Sequence, residues 1–316
     1  MAREWLYIQT ESAYNTPTAS PTVGTNAFYV RLDGGNAFTM RPRPVMVAVP
    51  YGGGRAIDAF RVSDKTECKG KLTTKVYAGA YSQFLVQWAA QLINAGQTIP
   101  WTTTEPPGDL ASCWICHAIQ RSDGTYVKRS YSGAKVDGYT FQVDENGTIA
   151  SLSLDISAST PSAVGSPPAT AAPTDAQMPS GPYVFTHASG GLVIASSRTQ
   201  FQSIQISGRN TLARRFWANQ FIQLLRLTGR SHTLQALNYY LASPNDRTGY
   251  EALTVQTPAT FTISNGTHSI AWNFETNSVF TSVEDQLPLN DLYLQTLTVQ
   301  NQYDSTNNAD LALTFT

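Results

Sequence analysis

Tyr139-Thr140-Phe141-Gln142-Val143, then Glu145-Asn146-Gly147, then Ser151-Leu152-Ser153-Leu154-Asp155-Ile156 is the stretch that decides the fold class. Apolar and polar side chains alternate with a period of two on both sides of an Asn-Gly pair. That pattern specifies two antiparallel strands, each with one dry face and one wet face, joined by a tight turn.

The same grammar extends outward. Cys113–Gln120 alternates into Ser122-Asp123-Gly124 and returns over residues 126–131. Further on, residues 260–264 turn at Asn265-Gly266 into residues 268–274, and residues 292–299 turn near residues 304–308 into residues 309–315. The last strand, Asp310-Leu311-Ala312-Leu313-Thr314-Phe315, alternates as residues 151–156 do.

Each set of hairpins follows a strand and a helix-like pattern. Residues 69–77 place Leu72, Thr74 and Val76 on one face of a strand. Phe221-Ile222-Gln223-Leu224-Leu225-Arg226-Leu227 is the comparable later run. Residues 211–227 alone also fit a helix; the parallel with the first half favours a strand. A helix is expected from a Ser82 cap to Gly96, with Phe84, Trp88 and Leu92 on one stripe. A second is expected over residues 231–243, with Leu234, Leu237, Tyr240 and Leu241 on one stripe and Pro244 beyond. Strand, helix, hairpin, hairpin therefore occurs twice. The expected architecture is mainly β with one flanking helix per domain (α+β), two tandem β-sandwich or barrel domains from an internal duplication. They span residues 1–159 and 183–316. Residues 160–182, rich in Pro, Ala, Ser and Thr, form the linker, either free or ordered as a strap on a neighbouring subunit.

Composition supports a folded chain with covered surfaces. Hydrophobic residues make up 41% and charged residues 14% of 316 residues, with 6 Trp, 15 Tyr and 13 Phe for cores. A surface low in charge and rich in uncharged polar groups suits burial against other subunits. The net charge is −1 and the last lysine is Lys135, so no basic face is available for gripping phosphates. No apolar run approaches the length of a membrane span, so no membrane partner is expected. Three cysteines and an opening Met-Ala-Arg-Glu-Trp-Leu-Tyr without an apolar signal region point to folding in a reducing cytoplasm.

Chemical motifs are weak. Cys113-Trp114-Ile115-Cys116-His117 has the spacing of a haem attachment site. As a strand it puts Cys113, Ile115 and His117 on one face and Trp114, Cys116 and Ala118 on the other, which is core packing. Cys68 stands alone, and His187, His232 and His268 are scattered, so no zinc set forms. The Gly34-Gly35 and Gly52-Gly53-Gly54 clusters fit no phosphate loop. Asn146-Gly147-Thr148 and Asn265-Gly266-Thr267 read as type I′ turn residues. No catalytic, cofactor or metal constellation is visible, and an enzyme is not expected. The glycine-bounded insert, residues 34–55, carries Arg41, Arg43, Val45, Val47 and Val49. An exposed alternating strand invites pairing, so these five residues are the candidate inter-subunit arm; a plain solvent hairpin is the alternative.

Thr10-Glu11-Ser12-Ala13-Tyr14-Asn15-Thr16-Pro17 and Gly138-Tyr139-Thr140-Phe141-Gln142-Val143, on a chain of this length with two β domains, resemble tail tube (major tail) proteins of long-tailed bacteriophages. The resemblance implies self-assembly into stacked rings around a continuous inner β-barrel. Single-domain relatives form rings of six, so three two-domain chains would give pseudo-sixfold trimers. It implies a virion tail protein assembled in the host cytoplasm, with a tape measure protein and DNA in the lumen. A tail terminator and baseplate or distal tail proteins would meet the ends. The linker and the insert depart from the simple family pattern, so stacking contacts do not carry over. Another tail, baseplate-ring or terminator component, or a receptor- or carbohydrate-binding β-sandwich module, are the alternatives.

Overall fold

Alternation becomes sheet because each run buries one face, and the order in which the runs pair repeats along the chain. The computed structural model describes residues 4–17, 21–32, 37–49, 59–90, 112–144, 149–162, 172–183, 191–194, 197–199, 201–239, 259–274, 278–286, 294–302 and 311–315. The first half contains β1 (Glu4–Ala13), β2 (Thr16–Pro17), β3 (Ala27–Val30), β4 (Phe38–Val49), β5 (Ala59–Lys75), α1 (Ala80–Ala89), β6 (Cys113–Gln120), β7 (Tyr126–Asp144), β8 (Ser151–Ala158) and β9 (Thr160–Ser162). The second contains β10 (Gly191–Ile194), β11 (Ser197–Thr199), β12 (Phe201–Arg215), β13 (Leu224–Tyr239), β14 (Ala259–Ser264), β15 (Ser269–Phe274), β16 (Val279–Gln286), β17 (Leu294–Gln300) and β18 (Leu311–Phe315).

In the first half one ladder runs β3-β1-β6 onto the start of β7, whose other side takes β9. A second runs β4-β5-β8 onto the end of β7. In the second half the corresponding ladders are β11-β10-β14-β15-β18 and β12-β13-β17-β16. The two orders match, every pair antiparallel, except that the short β2 beside β1 has no counterpart among the described strands and that the 19-residue β7 does alone what β15 and β16 do separately. The halves join where β7 pairs with β12, Gln142 opposite Gln205 and Thr140 opposite Ser207. The joined sheet thus reads β4-β5-β8-β7-β12-β13-β17-β16.

The inner face of that sheet carries Leu72, Leu154, Phe141, Ile206, Leu234 and Val299, all buried in one core with Phe261 and Trp272 of the second half. Phe141 lies 4.4 Å from Trp272, centroid to centroid. Helix α1 closes the first half with Phe84, Leu85 and Trp88, and Phe28 stacks on Phe84 at 4.7 Å. Burying one such ring is worth about 1.5–3 kcal/mol, so the core crosses the middle of the chain at full strength. Polar ties cross it too. Asn210 Nδ2 donates to the Ala89 carbonyl (3.1 Å), satisfying an end group of α1, and to that of Val136 (3.0 Å). Tyr139 and His232 Nδ1 are hydrogen-bonded at 2.9 Å. The wholly buried Lys135 donates to the Leu225 carbonyl at 2.6 Å and lies over the Tyr14 ring.

Several expectations are corrected. The first helix starts at Ala80; Gly79, with φ +87°, is its N-cap, and Ser82 instead donates its hydroxyl to the Gly79 carbonyl at 3.0 Å. Residues 231–239 are strand, not helix, so α1 is the one α-helix among the described residues. The leucine spacing of residues 231–243 fits a helical stripe, but it also fits alternation: Leu234 and Ala236 are buried while Gln235 is exposed. Ladders to β12 and β17 on both sides decide it. The chain position matching α1, residues 240–258, lies outside the described residues, as do Gly96 and the turns at residues 145–148 and 304–308. Residues 126–131 and 139–143 belong to one strand. β17 and β18 do not form a hairpin; β17 lies between β13 and β16, and β18 pairs with β15. The Asn265-Gly266 turn is not type I′: among its described residues only Gly266 has positive φ (+91°), and Asn265 Oδ1 accepts the N–H groups of Thr267 and His268.

Of the expected linker, residues 160–162 pair with β7, and residues 163–171 lie outside the described set. Residues 172–183 lie along their own chain: Tyr183 is buried and exchanges backbone hydrogen bonds with Val76 and Ala150, at 2.9 Å each.

Candidate functional site

The outer face of the joined sheet spans eight strands, β4-β5-β8-β7-β12-β13-β17-β16. Its residues line up in rows across strands. One row runs Thr73, Ser153, Thr140, Ser207, Thr233. The next runs Ser151, Gln142, Gln205, Gln235, Thr298, Ser282. From β8 to the far side of the sheet every member of both rows is uncharged and hydrogen-bonding; on β5 the second row begins at Lys75, opposite Ser151. Charge flanks these two rows: Lys71 and Lys75 on β5, Asp155 and Arg209 in the row on one side, Asp144 on β7 and Glu284 on β16 in the row on the other. A face of hydroxyls and amides wets readily and offers no row of cations to hold phosphates.

The arm residues come out on one strand. Arg41 and Arg43 are exposed on β4 and Val45 is half-buried at a bulge. Val47 and Val49 oppose Arg61 and Ala59 on β5. The edge of β4 alternates in a way that gives its prolines a role. The Ala37 carbonyl accepts from Thr73 at 2.7 Å, so odd-numbered groups point at β5. The Met40 carbonyl accepts the Tyr131 hydroxyl at 2.8 Å, so even-numbered groups point away. Pro42 and Pro44 therefore remove donors from the outer edge and leave the β4–β5 ladder intact. Any strand added beside β4 must stop near Arg41. At the base of the arm Arg214 of β12 bridges Glu67 (3.3 Å) and Asp137 (3.1 Å).

Thr10–Pro17 acts as a clamp. Glu11 is buried and accepts from the backbone of Asn15 (3.0 Å) and Gly133 (2.9 Å) and from the Ser112 hydroxyl. Burial pushes its carboxyl above the ordinary value against those hydrogen bonds. Asn15, at φ +63°, donates to Ser159 Oγ at 3.0 Å, so the N-terminal strand is pinned to β7 and the end of β8.

The cysteines take the two faces expected of a strand. Cys113 and Ile115 sit in the main core; Trp114, Cys116 and Ala118 form a second cluster with Trp5 and Tyr7. Burial pushes the Cys68 and Cys116 thiols up to about 12 and Cys113 well above its usual value, which disfavours a thiolate. His117 Nε2 is paired with Glu4 at 2.6 Å. Among the described residues no three His, Cys, Asp or Glu side chains gather where they could hold a metal ion.

One feature was missed by the sequence reading. Phe216–Asn219 closes the β12–β13 hairpin, with the Asn219 N–H on the Phe216 carbonyl at 2.8 Å. Its central residues, Trp217 and Ala218, have φ of +44° and +61°. Such turns normally take Asn-Gly; a left-handed L-residue costs about 1–2 kcal/mol. Trp217 is nevertheless 69% exposed. The signal available was Trp217 itself, set among polar residues between two alternating runs.

A family model described as phage tail tube protein matches residues 6–316. No curated protein matches the chain.

Proposed function

Because the chain belongs to the phage tail tube protein family, and is thus a structural protein of the virion tail that assembles with copies of itself, we propose that three chains close into a ring with pseudo-sixfold symmetry. Residues 1–159 and 183–316 act as duplicated units, each supplying one four-strand sheet. The ring encloses the Ser/Thr/Gln face, and stacked rings make the conduit for DNA.

The β7–β12 junction carries this reading. It joins the last strand of one four-strand unit to the first strand of the next. The same rule applied between chains joins β16 to the β4 of a neighbour. Pairing through the equivalent strands sets the register: Val283 opposite Phe38, and Phe280 opposite Met40. The edge of β4 supports it. β12 pairs with β7 as far as Arg209, the equivalent of Arg41, where Pro42 ends the usable edge of β4. Strand edges left open at β4 and β16 are closed by the ring. The arm bearing Arg41, Arg43, Val45, Val47 and Val49 then projects from the ring as an inter-subunit contact. A neutral wet lumen lets a tape measure protein and then DNA pass without adhesion, and a tail terminator and baseplate or distal tail proteins cap the ends. Assembly takes place in the host cytoplasm.

Negative-stain microscopy of concentrated protein tests the reading: threefold rings and tubes are expected, and protein that stays monomeric at high concentration overturns it. Val283→Lys places a charge in the seam at a half-buried position on the edge of the core. Folded monomers are expected, with ring formation lost; rings formed as readily as by the unaltered chain would rule out β16 as the seam.

A further inference from the structure

The large hydrophobic side chains exposed among the described residues are Val23, Ile119 and Trp217. Two of these lie at opposite ends of one stretch of β5, residues 66–75. Trp217 stands at the tip of the β12–β13 hairpin, where the Gln220 carbonyl accepts the N–H of Thr66 at 2.7 Å. Val23 rims a cavity of about 440 Å³ with Phe28, Ala78, Tyr81, Met178 and Pro179, just beyond the other end of β5. The strand between, residues 66–75, spans roughly 30 Å at about 3.3 Å per residue.

The residue before the indole is anchored. Phe216 packs on the Leu212, Ile222 and Leu225 cluster, with Lys65 Nζ 5.2 Å from its ring centre. The turn keeps its left-handed geometry without glycine, and strain maintained at an exposed aromatic points to a contact. The cavity is equally built. Its floor is the Phe28 ring stacked on α1, and its wall is residues 176–180, tied down through Gly181, whose carbonyl accepts from Ala78 at 2.8 Å.

A knob and a socket held apart by that stretch of strand cannot meet within one chain. Between copies they make a head-to-tail contact, which extends without closing. We infer that Trp217 of one copy inserts into the Val23–Phe28–Tyr81–Met178 cavity of a copy in the next layer, and that this is a contact on which rings stack. The inference rests on the tail tube reading, but it concerns the long axis, whereas the β16–β4 seam concerns the ring.

Full-length Trp217→Ala lacks the knob and Val23→Asp spoils the socket; both positions are exposed enough to leave the fold intact. Each variant alone is expected to form rings but no long tubes, with the concentration needed for elongation raised about thirtyfold, as for an aromatic hot spot. Mixing the two preparations restores one good contact, from the Val23→Asp knob to the Trp217→Ala socket, so stacks of two layers are expected and nothing longer. Tubes of ordinary length from either variant alone, or a mixture with no two-layer stacks, would overturn the inference and leave the ring reading standing. A wild-type chain that forms no rings removes both.

Discussion

The hairpins β4–β5 and β12–β13 occupy the same place in the two halves yet end differently. From Phe38 to its partner Leu72 is 34 positions along the chain; from Ile206 to Leu234 is 28. The first carries paired prolines on its edge and basic side chains. The second stops in a strained turn that presents an indole. At equivalent pairs partway along, each hairpin sets one large side chain against one glycine, but the partners are exchanged: Met40 opposes Gly70 on one side, Gly208 opposes His232 on the other. What the halves share is the volume of a cross-strand pair and the order of strands, not the residues that provide them. That is why the repeat was visible as a pattern of elements and faint as residue identity.

The strongest way to break the comparison is to ask whether the halves unfold apart. Phe141 belongs to the first half but packs on Phe261 and Trp272 of the second. Phe141→Ala is expected to cost about 3–5 kcal/mol and to shift one common thermal transition; calorimetry showing two transitions with only one displaced would make the halves independent. The exchanged glycines sharpen it. A methyl on Gly70 would overlap the Thr39 carbonyl and come within 2.7 Å of Met40 Cα; on Gly208 it would overlap the Tyr139 ring and come within 2.8 Å of His232 Nδ1. Gly70→Ala and Gly208→Ala are each expected to cost roughly 1–3 kcal/mol in urea unfolding, and a neutral result at either would show that the two pairs are not equivalent. The smallest effect lies at the second tip. Trp217→Asn with Ala218→Gly relieves the left-handed strain and is expected to raise monomer stability by about 1 kcal/mol while shortening tubes. A destabilised monomer would mean that the indole serves the fold.

Local alternation made β6, β8, β14 and β15 readable, because each shows its buried face within a few residues. Neighbours set by distant chain were not readable. Leu234, Leu237 and Leu241 satisfy a helical stripe as well as a strand, and only the ladders to β12 and β17 exclude the helix over residues 231–239. The placing of β17 away from β18 is equally non-local: the two lie close in sequence but belong to different sheets. The candidate surface was half legible. Ser153, Thr140 and Gln142 are the wet positions of strands already recognised, whereas Gln235 falls in the segment read as a helix, and the alignment of all four into rows depends on the β7–β12 register. Trp217 escaped notice because a tight turn built from Trp-Ala carries none of the usual turn residues.

The unequal hairpins also bear on how a layer is set upon the next. A ring of six identical tips could be laid down in any of six orientations, each a sixth of a turn apart. In the proposed trimeric ring, three proline-edged arms alternating with three indole tips would halve that number, like a keyed coupling. On that reading each new layer would inherit the angular phase of the one beneath, and the pitch of the whole tube would be written into the difference between β4–β5 and β12–β13.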